Sequence, residues 1–103
     1  MYTVTDKKLT SEFAKMNKRF FDNALEVDVL EGDDLDTEWG FCVDDEEWVL
    51  GVTREFPTKK EFHETLLHEM AHLLQINADL PVDHGEVFED MCEMFKENGF
   101  DVE

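Results

Sequence analysis

The chain is short of basic residues and of long apolar runs, and each shortage excludes a class of protein. Only 9 of its 103 residues are Lys or Arg, against 27 Asp and Glu, so its formal net charge is -18. This excludes nucleic-acid binding through a general basic footprint, because neutralising phosphates needs clustered Lys and Arg. An anionic membrane surface would also repel the chain. No apolar run approaches the ~20 residues that cross a bilayer.

Cysteine is scarce as well. Cys42 and Cys92 are too few for a disulfide framework and do not form a CxxC zinc pair. The first residues also lack the apolar region of a secretory signal. We therefore expect a cytoplasmic protein, and its small size is compatible with a phage protein that acts in the host cytoplasm.

The acidic excess has two interpretations. The first is a soluble surface whose like charges repel one another. The second is a functional acidic face that binds a basic protein or imitates DNA. The charge alone leaves both open.

Local patterns predict the elements of the first half of the chain. Apolar residues recur at helical spacing over residues 6–22, which indicates an amphipathic helix. Residues 24–30 alternate as a short strand does, and residues 31–36 form an acidic turn. Residues 39–43 and 48–53 are β-rich runs around a polar tip, which is typical of an antiparallel hairpin.

Two capping boxes predict the remaining helices. Thr58 with Glu61 begins a helix that extends to about residue 77, and Asp83 with Glu86 begins a last helix. The order is helix, strand, hairpin, helix, helix. It predicts a single α+β domain over the whole chain, with a short antiparallel sheet of about three strands.

The second predicted helix carries the motif HExxH, from His68 to His72. Residues four apart lie on one helix face, so both imidazoles project toward one point. Neutral imidazoles bind Zn²⁺ at ~2.0–2.1 Å, and a catalytic site leaves one tetrahedral position for water. Glu69 lies beside the first ligand, where it can act as general base on that water and pass the proton to a leaving amine. The alternative is a pair of histidines satisfied by hydrogen bonds in the core.

A zinc site needs a third ligand, and His84 is our first candidate. It follows His72 by twelve residues, beyond a turn at Pro81, so the next helix can return it to the first two histidines. Phe88, one turn further on, would anchor that helix in the core. Three carboxylates of the last helix compete for the role: Glu86, Glu89 and Glu93.

The HExxH block preceded by Glu64-Thr65-Leu66-Leu67, with HGxxF at residues 84–88, resembles the SprT-like metallopeptidase domain of the bacterial SprT proteins and the Spartan protease. The resemblance extends over about residues 8–98 and includes the Gly-Phe-Cys segment at residues 40–42. It implies a small zincin-like fold and a zinc-dependent metallopeptidase. His68, His72 and His84 would be the ligands and Glu69 the catalytic residue.

The resemblance also implies where a substrate would bind. The second hairpin strand would be the sheet edge to which an extended peptide adds by backbone hydrogen bonds. Its residues are Trp48, Val49, Leu50, Gly51, Val52 and Thr53. Longer family members carry a zinc ribbon or basic DNA-binding segments, which this sequence lacks, and its charge is opposite to that of a DNA-binding protease.

Three functions follow from these patterns. The first is a zinc metallopeptidase acting on a protein or peptide substrate. The second is an acidic, non-enzymatic decoy, inhibitor or DNA mimic on the same zinc-binding scaffold, and the third is a structural zinc module. Glu69 argues against the third, because a structural site needs ligands but no base beside the metal.

Overall fold

Three helices and five strands make up the part of the chain that the computed structural model describes, residues 1–33, 39–44 and 46–103, with Asp33 described by its backbone alone. The helices are α1 (Asp6–Phe21), α2 (Lys59–Asn77) and α3 (Glu86–Glu97). The strands are β1 (Tyr2–Thr3), β2 (Val29–Asp33), β3 (Gly40–Asp44), β4 (Trp48–Thr53) and β5 (Glu55–Phe56). The predicted α+β class is confirmed.

Helix α1 begins and ends at the positions that its sequence predicts. The side chain of Thr5 accepts a hydrogen bond from Lys8 N at 3.2 Å, which satisfies a free donor of the first turn. Asp22 then adopts the left-handed conformation, with φ 53°, and closes the helix. Its apolar stripe is buried in the core, as the 3.6-residue period requires.

Helix α2 is the central element of the fold. Thr58 caps it, accepting from Glu61 N at 3.2 Å. The helix packs against β3, β4 and β5 and against both other helices, α1 and α3. Ten of its residues are therefore buried, including the polar residues Glu69, His72 and Gln75. In the described part of the chain, no helix is both long and apolar enough to cross a bilayer.

The larger sheet has the strand order β2-β4-β3, so β4 is its central strand. Strand β4 pairs antiparallel with β3, which confirms the predicted hairpin, and parallel with β2. The sheet is therefore mixed, whereas the sequence predicts a purely antiparallel one. A second, two-stranded sheet, which the sequence analysis did not predict, joins β1 to β5.

The second predicted element lies further along the chain than expected. Strand β2 spans Val29–Asp33 rather than residues 24–30. The cause is that two asparagine side chains hold the preceding backbone. Asn17 bonds both the N–H and the C=O of Leu25 at 3.1 Å, and Asn77 does the same for Glu26 at 2.7 and 3.0 Å. The strand consequently extends into the predicted acidic turn, of which residues 34–36 lie outside the described chain.

The predicted capping box of the last helix is wrong. Helix α3 begins at Glu86 with Gly85 as its N-cap, and no side chain caps it. Asp83 lies too far before the helix to cap it. Its Oδ1 accepts instead from Gly85 N at 3.0 Å, two residues on. That short turn shapes the backbone around His84.

Candidate metal centre

Three histidine side chains converge where α2 meets the loop before α3. His68 and His72 project from one face of α2, and His84 comes from the loop. One ring nitrogen from each lies within 4.8 Å of the others, which makes the three a group that could hold a metal ion. The spacing of the HExxH motif causes this, because residues four apart are stacked on one helix face.

The distance between two of the rings fits a tetrahedral metal. The Nε2 atoms of His72 and His84 are 3.2 Å apart. Two nitrogens at the usual Zn–N distance and a tetrahedral angle lie about 3.3 Å apart. The donor type therefore suits Zn²⁺, as does the spacing of this pair, and the three histidines together form a group that could hold the ion.

Phe88 packs against all three imidazoles. Its ring centroid lies 4.8 Å from that of His72 and 4.4 Å from that of His84, with nearly parallel planes, and 5.0 Å from that of His68. Phe88 is 3% exposed, so the prediction that it anchors α3 in the core is confirmed. It also provides a rigid apolar surface against which the ligand rings lie.

Two of the histidines have a hydrogen-bond partner on the ring nitrogen that faces away from the cluster. His68 Nδ1 donates to the backbone oxygen of Glu103 at 2.6 Å, and His72 Nδ1 lies 2.9 Å from Oε1 of Gln75. Such bonds fix the orientation and tautomer of metal-binding imidazoles. Burial lowers the pKa of His68 below its usual value, although the bond to Glu103 opposes the shift. The neutral ring needed for metal binding is therefore favoured.

Glu69 lies at a cleft of about 610 Å³ beside His68. It is only 8% exposed. Trp39 and Gly40 form one wall of the cleft, and the last three residues of the chain form another. A carboxylate beside a candidate metal ligand and open to a cleft is placed to exchange protons with a bound molecule.

Cys42 lies on β3 close to Glu69, but it is not suited to nucleophilic chemistry. Burial, with the nearby charges of Glu69 and Asp44, raises the pKa of its thiol to about 12. Only a thiolate is a strong nucleophile or metal ligand. The protonated thiol therefore behaves as a small packing group.

The free edge of the sheet beside α2 belongs to β3. Thr53 N donates to Trp39 O at 2.8 Å, and Gly40 pairs with Val52. Since hydrogen-bonded and non-hydrogen-bonded pairs alternate, residues 40, 42 and 44 direct their N–H and C=O groups away from β4. Among residues 1–33, 39–44 and 46–103, no strand pairs with that side of β3.

The prediction that residues 48–53 form this edge is therefore wrong. Both sides of β4 are already hydrogen-bonded, to β2 and to β3, so an added peptide has no backbone groups of β4 to pair with. Strand order caused the error. The sequence indicates that β3 and β4 are neighbours, but it does not show with which of the two β2 pairs.

The competing third ligands do not join the cluster. Glu86, Glu89 and Glu93 are exposed on α3, and over the described residues the group that could hold a metal contains only histidines. The arrangement favours His84 as the third ligand over a carboxylate.

Sequence reasoning missed the contacts of Gln75 and Glu103 with the histidines and the position of Gly40 at the cleft. Glu64, one turn before His68 on α2, accepts from Asp101 N at 2.7 Å and so holds the chain segment that reaches His68. A glutamine three residues after His72, among the apolar residues of the predicted helix, was the one signal that the sequence offered.

Two histidines one turn apart on a buried helix, a third from the following loop and a glutamate at a cleft define a zincin-like domain. A family model for the SprT-like family matches residues 9–103, nearly the whole chain. The chain belongs to the SprT-like family. A search of curated proteins finds no match.

Proposed function

We propose that the protein is a zinc-dependent metallopeptidase. The observation that carries the proposal is the convergence of His68, His72 and His84 beside Glu69. His68 and Glu69 lie at a cleft that borders the outer edge of β3, which pairs with no other strand in the described part of the chain. Membership of the SprT-like family supports the same reaction class.

The three histidines would hold the ion, each through one ring nitrogen. When bound, Zn²⁺ supplies a Lewis acid that polarises the substrate carbonyl and lowers the pKa of a water toward ~7. The chain contributes the fixed orientation of the rings through Glu103, Gln75 and Phe88.

Glu69 is the proposed general base. It accepts a proton from the attacking water and returns it to the leaving amine, so one carboxylate serves both halves of the hydrolysis. Its low exposure supports this role, because proton transfer is more efficient where bulk water does not compete.

Strand β3 is the proposed binding edge for the substrate backbone. An extended peptide would pair with the outward N–H and C=O groups of residues 40, 42 and 44 and pass along the cleft at Glu69. Such binding recognises the backbone, so the natural substrates would include unfolded or extended protein segments of varied sequence.

The function is tested with purified protein and an unfolded protein substrate such as reduced, alkylated casein. We expect about one zinc per chain, cleavage of the substrate, loss of cleavage on chelation and its return on addition of Zn²⁺. Stoichiometric zinc without cleavage of any unfolded substrate would contradict the peptidase proposal.

The net charge of -18 supports a second candidate function, an acidic decoy that binds a basic protein. That function predicts a salt-sensitive complex with a basic protein that survives removal of zinc. The peptidase proposal predicts that any such complex is a substrate complex, in which the basic protein is cut. For either function we propose a cytoplasmic location, in keeping with two free cysteines.

A further inference from the structure

Gln75 is the most deeply buried polar side chain near the candidate metal centre. It is 1% exposed and lies on α2, three residues after His72. Burying an amide without partners costs several kcal/mol, so its hydrogen bonds define what it does.

The amide NH₂ of Gln75 faces Asp83. Nε2 of Gln75 donates to the backbone oxygen of Asp83 at 3.1 Å, and the side-chain Oδ1 of Asp83 lies 3.4 Å from the same nitrogen. Both atoms are acceptors, so they bind the NH₂ group and not the oxygen. The orientation of the amide is thereby fixed, and Oε1 must face the opposite way.

Oε1 of Gln75 lies 2.9 Å from Nδ1 of His72. An amide oxygen only accepts, so Nδ1 of His72 must carry the proton. In a neutral ring the other nitrogen, Nε2, then has its lone pair free. That nitrogen is the one 3.2 Å from Nε2 of His84.

Gln75 also connects His72 to the third histidine. Asp83 directly precedes His84, and its side chain accepts from Gly85 N at 3.0 Å on the other side. Gln75 therefore holds the backbone before His84 to α2 directly, and the backbone after it through the Asp83 side chain. One side chain fixes the tautomer of one candidate ligand and the loop that carries another.

We propose that Gln75 is a positioning residue that preorganises the metal centre, holding His72 as its Nδ1–H tautomer and tying the His84 loop to α2. It touches neither the ion nor the substrate. The inference rests on the proposed metal centre. Its expected effect is on metal affinity, since loss of a residue that orients a ligand typically costs 10–100-fold in affinity.

The first experiment compares zinc affinity in three variants by competition with a chromogenic chelator. Gln75→Leu removes both the acceptor for His72 and the donor to Asp83, and should weaken zinc binding about 10–100-fold. Gln75→Glu keeps an acceptor for His72 but loses the donors to Asp83, so its affinity should lie between Gln75→Leu and wild type. Ile76→Val is the matched control: the next, also buried residue of α2 loses one methylene, and its zinc affinity should equal that of wild type.

A purely structural role of Gln75 predicts a different pattern. Gln75→Leu would then melt at lower temperature, yet the folded protein would bind zinc within about twofold of wild type and Ile76→Val. That result would overturn the inference.

The second experiment needs no variant and no metal. The ¹⁵N NMR shifts of the imidazole nitrogens in metal-free wild-type protein report which one carries the proton. We expect His72 to be protonated on Nδ1, and a proton on Nε2 would overturn the inference. The inference about Gln75 and the proposed function can therefore fail separately. The inference fails if His72 carries its proton on Nε2, whereas the proposed function fails if wild-type protein binds no zinc or cuts no substrate.

Discussion

A Cβ atom on Gly40 would lie 2.9 Å from Cγ of Glu69, closer than Cβ atoms approach such neighbours in proteins. The first residue of β3 and the proposed general base on α2 are therefore in direct contact. The same Cβ would lie 3.1 Å from both the backbone oxygen of Gly51 in β4 and Cγ2 of Thr65 in α2. An added methyl group has no room unless Glu69 or the strand shifts.

Gly40→Ala should therefore impair catalysis while leaving metal binding intact. A displacement of about 1 Å at a reacting group costs on the order of 10²-fold in rate. We expect kcat/KM to fall at least about tenfold, with zinc content unchanged, as measured by peptidase assay and metal analysis.

Gly32→Ala provides the matched control. A Cβ there would lie 3.4 Å from the side chain of Arg54, which is flexible and can move. Peptidase activity should then equal that of wild type. Equal activity in the Gly40 and Gly32 variants would contradict a close fit between β3 and Glu69.

Proline substitutions test whether the edge of β3 binds substrate. Asp44→Pro removes an N–H that points away from β4, so the melting temperature should change little while KM for an unfolded substrate rises several-fold. Val43→Pro removes an N–H that pairs with β4, so it should lower the melting temperature. Asp44→Ala controls for the lost bond from Trp48 Nε1 to the Asp44 carboxylate, which is 3.0 Å long. Unchanged KM in Asp44→Pro would argue against β3 as the binding edge.

The sequence predicted the elements whose causes are local. Helix α1 follows from its 3.6-residue apolar period, and helix α2 from the cap at Thr58, which accepts from Glu61 N three residues away. The convergence of His68 and His72 follows from helix geometry. His84 required a loop to reverse direction, which Pro81 and the next apolar stripe indicated.

The features that the sequence did not predict depend on long-range contacts. Asn77 holds Glu26, 51 residues earlier, and so delays the start of β2. The parallel pairing of β2 with β4 decides that β3 is the edge, and no local pattern encodes it. Asp83 has the sequence of a helix cap, but its backbone oxygen and side chain bind the amide of Gln75, eight residues before it.

Removal of zinc should lower the melting temperature by many degrees, because free energy of binding to the native state adds to its stability. Alanine substitution of any of the three histidines should abolish stoichiometric zinc. His84→Ala is the decisive variant among them. Full zinc content in that variant, by metal analysis after gel filtration, would mean that a carboxylate is the third ligand.

His63 should make the protein less stable as the pH falls. Burial lowers the pKa of its imidazole below its usual value, although the neighbouring Glu12 opposes the shift. The charges of Lys59 and Lys15 lower the pKa further. The unfolded chain therefore binds this proton more readily than the native state. Above the pKa that His63 has in the unfolded chain, the imidazole is neutral in both states and the native state keeps its full stability. As the pH falls from that value toward the lowered native pKa, the unfolded chain takes up the proton first and the native state loses stability.

The measurement is the free energy of unfolding of wild type minus that of His63→Gln, between pH 7.5 and pH 5. Effects of the carboxylates that do not contact His63 are common to both proteins and cancel. We expect the difference to become less favourable to wild type as the pH falls. A difference that grows in favour of wild type would mean that the pairing of His63 with Glu12, at 3.2 Å, outweighs burial.

The most direct test of the metallopeptidase proposal is Glu69→Gln, with peptidase activity and zinc content measured side by side with wild type. Glutamine keeps the shape of the side chain but cannot accept the proton, and loss of a positioned general base costs ~10²–10⁴-fold in rate. We predict that loss in kcat, with zinc content and melting temperature nearly unchanged. Equal activity of Glu69→Gln and wild type, at full zinc content, would contradict the assignment of this protein as a metallopeptidase.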